Sequence, residues 1–121
     1  MKIFILEDQP TRIEWFMSEF ADHRVVVAND AGLAMQILSN SKFDIIFLDH
    51  DLEGKENVSS LDTNCGMRVA AFLATQKEKT RVVVHSWNKA GVKSMIDVLK
   101  AADYKVEWKP FGDFNKKILY N

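Results

Sequence analysis

The chain has 121 residues, 47% of them hydrophobic and 27% charged, with a formal net charge of −1. That length suits a single domain spanning 1–121 with a real core, the composition excludes a disordered chain, and the near-neutral balance argues against a duplex-DNA binder or an acidic membrane as partner. Cys65 is the one cysteine, no apolar run reaches membrane length and no signal peptide opens the chain, so a protein of the reducing cytoplasm, with no membrane partner, is expected.

In chain order, Ile3 to Leu6 form an unbroken apolar run that turns acidic at Glu7 and Asp8, the pattern of a strand buried on both faces. Pro10 suits the first turn of a helix whose inner face is Ile13, Phe16, Met17 and Phe20. Val25 to Val27 predict a second strand, Asn29-Asp30 a helix cap, and Ala34, Ile37 and Leu38 a second helix. Ile45 to Leu48 predict the central strand, which ends in Asp49-His50-Asp51. A polar loop over 53–64 follows, readable as a lid over the strand ends or as a plain connection. Gly66, Val69, Ala70 and Leu73 mark a third helix, Arg81 to Val84 a fourth strand ending at His85-Ser86-Trp87-Asn88, and Val92, Met95, Ile96 and Leu99 a fourth helix. Lys105 to Lys109 alternate polar and apolar, as an edge strand does, and Phe111, Phe114 and Ile118 suggest a final helix.

Strands alternating with helices imply parallel pairing with right-handed crossovers. The expected fold is therefore α/β, a flavodoxin-like (βα)5 doubly wound sheet of order 2-1-3-4-5. That order brings Glu7, Asp8 and Asp49 to one crevice at the C-terminal edge of the sheet. Three carboxylates there repel one another unless a hard cation neutralises them, and Mg²⁺ is the natural candidate. Asp49 is then a possible carboxylate nucleophile toward a phosphoryl group, Ser86 a hydroxyl donor to its oxygens, and Lys109 a fixed positive charge.

Glu7-Asp8, Asp49, Ser86 and Lys109-Pro110, each at the expected strand end, resemble the receiver domains of two-component signalling over essentially the whole chain. The resemblance implies that Glu7, Asp8, Asp49 and the backbone carbonyl of Asp51 hold Mg²⁺, that Asp49 accepts phosphate, and that Ser86 and Lys109 contact it. It also implies a cis bond before Pro110, a phosphodonor (a histidine kinase or a small molecule) and a protein partner for output. Two departures stand out: the acceptor is followed by His50-Asp51-Leu52-Glu53-Gly54, and the aromatic switch position holds Val106. Leu-Asp-His-Asp-Leu together with His-Ser-Trp-Asn-Lys-Ala-Gly is similar to a divergent receiver branch proposed to process cyclic phosphates at RNA ends.

With Asp49 and Ser86 in the crevice, alternation along a strand sends His50 and His85 to the opposite face. The alternatives are that both imidazoles flank the crevice as general base and acid, or that two histidines and a carboxylate bind a transition metal. Three functions are thus open: a receiver phosphorylated on Asp49, a metal-dependent phosphoesterase acting on a cyclic-phosphate substrate, and a degenerate receiver serving only as a protein-binding surface. Cys65 is expected as a packed small residue or an acidic thiol. Trp15, Trp87 and Trp108 are candidates for stacking on bases, with packing on a helix the expectation for Trp108.

Overall fold

The computed structural model describes residues 1–52 and 58–121. Among them, strands β1 (Lys2–Leu6), β2 (Arg24–Ala28), β3 (Ile45–Leu48), β4 (Arg81–Val84) and β5 (Val106–Trp108) alternate with helices α1 (Pro10–Glu19), α2 (Ala31–Asn40), α3 (Gly66–Ala74) and α4 (Lys89–Ala101). All pairings are parallel and the order is β2-β1-β3-β4-β5, the flavodoxin-like order expected. Residues 53–57 of the polar loop, and with them the reading of that loop as a lid, lie outside the described residues.

The apolar runs of β1, β3 and β4 are continuous because both faces of the sheet are covered. Successive side chains point to opposite faces, so each run feeds two cores. Phe4, Leu6, Ile46, Leu48, Val82 and Val84 pack with residues of α2, α3 and α4. Ile3, Ile5, Ile45, Phe47 and Val83 pack with Phe16 and Phe20 of the α1 segment and with Ile118 and Leu119. Pro10 stands at the start of α1, and the Asp30 carboxylate caps α2 by accepting from the Leu33 N–H at 2.7 Å. Cys65 is fully buried and directly precedes α3, as a packed small residue would be.

Four expectations need correction. Met17 is 46% exposed, because the inner face of α1 is narrower than the periodicity implied and is filled by Phe16 and Phe20. The last helix is a short 3-10 turn, Lys116–Tyr120. Phe111 and Phe114 precede it and pack edge-on against Trp15, with ring centroids 5.2 and 5.5 Å away. Trp15 is thereby committed to an aromatic cluster and offers no ring for stacking on a base. Finally, no peptide bond among the described residues is cis, so Pro110 follows a trans bond, and the Phe111 N–H donates to the His85 carbonyl at 2.8 Å. No helix among the described residues is long and apolar enough to cross a membrane.

Candidate functional site

Sheet register decides which strand-end residues meet. Leu6, Leu48, Val84 and Trp108 are successive partners across β1, β3, β4 and β5. The ladder runs one step further, with the Asp49 N–H donating to Leu6 O at 3.1 Å and the His85 and Lys109 N–H groups to Leu48 O and Val84 O, both at 3.0 Å. Glu7, Asp49, His85 and Lys109 therefore form one row, continuing the face of Ile5, Phe47 and Val83. Alternation sends Asp8, His50 and Ser86 toward the other face.

Within that row, Glu7, Asp49 and His85 each bring a potential ligand atom within 4.8 Å of the others. Glu7 and His85 are fully buried and Asp49 is 4% exposed, so Asp49 alone of the three reaches solvent. His85 Nε2 lies 3.0 Å from Glu7 Oε1, Arg12 approaches the same oxygen at 3.8 Å, and Glu7 Oε2 accepts from the Asp8 and Gln9 N–H groups at 3.1 and 3.2 Å. Burial alone would raise the Glu7 pKa, but the bond to His85, the His85 charge, the Gln9 N–H and Arg12 together lower it. Asp49 is pushed up to about 7, chiefly by burial and further by the Glu7 charge; His85, the His50 N–H and Arg12 pull it only partly back. Its Oδ1 accepts from the His50 N–H at 2.8 Å.

The donor chemistry suits a divalent cation. Two buried carboxylates of one row, one of them hard to ionise while unneutralised, match what a hard ion such as Mg²⁺ requires. An imidazole is a poor ligand for that ion and suits softer metals, so the two carboxylates are the members of the trio whose chemistry fits a hard cation. Its Nδ1 is buried and has no hydrogen-bond partner among the described residues.

The remaining predicted residues fall elsewhere. Ser86 was expected to face the phosphate, but its Oγ accepts from the Asn88 N–H at 3.0 Å, and the row position belongs to His85. His50 does point away from the crevice, as alternation implied. Its Nδ1 is 3.0 Å from Asp51 Oδ1 and its Nε2 2.9 Å from Ser60 Oγ. The His50 ring lies so close to α4 that a Cβ built on Gly91 would come within 2.4 Å of it. The Asp51 carboxylate is held through its Oδ1 by His50, the Val58 N–H and Asn88. Asp8 is half-buried at the start of the β1–α1 connection and Lys109 is exposed at the end of the row.

Two contributors, Arg12 and Asn88, carry roles that the sequence did not assign them. Arg12 sits one turn into α1 with no pattern to mark it. Asn88 directly precedes the amphipathic face of α4, a signature that could have identified it as a cap. It accepts from the Gly91 N–H at 3.0 Å and its amide donates to Asp51 Oδ1 and Val58 O at 3.0 and 2.9 Å. Asn88→Ala removes the cap, takes the donor from the Val58 carbonyl and leaves Asp51 Oδ1 with His50 and the Val58 N–H, so a loss of about 2 kcal/mol is expected in urea unfolding, and a loss below about 1 kcal/mol contradicts this role.

The fold is shared with receiver domains of known structure. That of the Pseudomonas aeruginosa sensor histidine kinase PA1611, determined with a magnesium ion coordinated in its active site cleft, superposes with a TM-score of 0.68 at 14% identity, over 98% of this chain and 90% of that one. The BeF3-activated receiver domain of Klebsiella pneumoniae RstA gives 0.70 at 19% identity, covering 99% and 93%. The Thermotoga maritima response regulator TrrA, in complex with Mg(2+)-BeF, gives 0.63 at 19% identity, covering 93% and 90%. Among curated proteins none matches. Residues 1–101 match the family described as Cyclic-phosphate processing Receiver domain, and the chain belongs to that family.

Proposed function

We propose that the crevice binds a divalent cation and a phosphoryl group, and that it opens cyclic phosphates at RNA ends. One observation carries the reading: the row position expected for a hydroxyl is filled by His85, bonded to Glu7, while the Ser86 hydroxyl is engaged by Asn88. With Val106 at the aromatic switch position, the hydroxyl-to-aromatic pair of a signalling receiver has no counterpart. An imidazole bonded to Glu7, with Asp49 within 4.8 Å, supports proton transfer instead.

Glu7 and Asp49 are the oxygen donors of the row that would hold Mg²⁺, with Asp8 and the Asp51 carbonyl added from the flanking connections by the resemblance to receivers; the ion would supply positive charge to phosphoryl oxygens. Lys109, at the end of the row, adds a fixed charge toward the same group. In the reaction water adds to phosphorus, one ring P–O bond breaks, and the departing ribose oxygen gains the proton the water gives up. Asp49 at the mouth and His85 behind it are the groups placed to exchange that proton, with Glu7 orienting the imidazole.

The test is turnover of a 2′,3′-cyclic-phosphate oligonucleotide in Mg²⁺. Asp49→Ala and His85→Ala are each expected to lose roughly a hundredfold or more; wild-type turnover in both variants sinks the assignment. A second reading, phosphorylation of Asp49 by a histidine kinase or small phosphodonor with output to a protein partner, is favoured by Asp49 being the member of the trio that reaches solvent. Intact-mass measurement after incubation with a small phosphodonor and Mg²⁺ decides it, since this reading requires a phosphoryl adduct absent from Asp49→Asn.

A further inference from the structure

Trp87 lies between two buried residues, Ser86 and Asn88, yet is itself 55% exposed. Its orientation is set nonetheless, because the indole N–H donates to the Phe111 carbonyl at 3.2 Å. Phe111 is in turn tied to the site through the bond from its N–H to His85 O. An indole whose single donor is already used presents solvent with a flat apolar face and nothing else. Beside it runs a groove of about 610 Å³ between residues 58–60 and the start of α4, lined by Trp87, Ser59, Ser60, Asn88, Gly91 and Ser94. The exposed lysines flank this segment, Lys109 closing the Glu7–Asp49–His85 row and Lys89 following Asn88. A fixed aromatic face two residues beyond His85, with hydroxyl groups and positive charge in the flanking segments, matches a nucleotide, whose base has a π-face and whose phosphate is anionic.

We infer that Trp87 is the stacking platform for the base of a nucleotide whose phosphate occupies the crevice. This rests on the phosphoryl-binding reading above and adds to it a residue that selects ligands by their base. Trp108 does not share the role in full: it is 37% exposed, and its N–H donates to Ser86 O at 2.8 Å, which braces the segment carrying Trp87.

Isothermal titration in Mg²⁺ of wild type, Trp87→Ala and Trp87→Phe tests this, with adenosine 3′-monophosphate and inorganic phosphate as the two probes. Stacking of one base predicts that Trp87→Ala weakens the nucleotide roughly tenfold, that inorganic phosphate stays within about twofold, and that Trp87→Phe keeps most of the affinity. The proposal fails by itself if wild type binds both probes equally, or if Trp87→Ala weakens neither or both alike. If wild type binds neither probe, the phosphoryl-binding reading fails and this proposal falls with it.

Discussion

Asp49→Asn is expected to be more stable than the wild-type protein at pH 8 in metal-free buffer. The folded-state pKa of Asp49 is about 7 against 3.8 for the free side chain, so the folded protein holds this proton longer than the unfolded chain does. The stability that proton contributes is fully present below about pH 3.8 and is lost as pH rises through about 7. Above that, keeping the carboxylate ionised in its buried row costs on the order of 4 kcal/mol. Asparagine fills the same space without the charge and escapes that cost. Glu7 titrates with the opposite sign, so the quantity to measure is the difference between variant and wild type across pH 4 to 8. That difference is expected to grow with pH and to reverse when Mg²⁺ is added, because only the wild type keeps the full donor set and a ligand bound to the folded state raises its midpoint. A variant less stable than wild type at pH 8 in chelator would show that Asp49 is held by interactions other than those described.

Gly66→Ala is expected to be the most damaging glycine-to-alanine change among the described residues. A Cβ at Gly66 would lie 1.8 Å from the Asp49 carbonyl oxygen, 2.8 Å from its carbon and 2.9 Å from the His50 Cα. All three are backbone atoms of the segment that carries the site, and the Gly66 N–H already donates to the His50 carbonyl at 2.8 Å. No side chain can swing aside, so either α3 shifts outward or Asp49 moves within its row. A loss of about 3 kcal/mol or more in the free energy of unfolding is expected, together with loss of the Mg²⁺-dependent thermal shift. Gly32→Ala is the control: its nearest neighbour would be Asp30 Oδ1 at an ordinary 3.5 Å, and the helix is expected to gain about 0.5–1 kcal/mol. Equal behaviour of the two variants would mean that the contact between α3 and the end of β3 yields freely.

These two effects separate what was readable in advance from what was not. Strand number, parallel pairing and strand order follow from apolar runs and their spacing, since a run buried on both faces has few other places to go. The acidic row at the sheet edge was equally legible, because each carboxylate directly follows its run. Arg12 was not legible, as its approach to Glu7 depends on how α1 lies over the sheet. Asn88 and Gly91 became meaningful only once α4 was seen against His50, where one network holds Asp51, Ser60 and the helix start together.

The sequence by itself determined a five-stranded parallel sheet with Glu7 and Asp49 at its C-terminal edge, because hydrophobic periodicity is a local property and the crossover rule leaves only a handful of topologies. It also placed His85 and Ser86 side by side at the end of β4. Which of them meets the carboxylates was decided by the tertiary structure alone. A strand's two faces are equivalent in the sequence until the register with its neighbours is known, and a one-residue difference exchanges them. Here Leu48 pairs with Val84, so the imidazole joins Glu7 and Asp49 and the hydroxyl turns to Asn88.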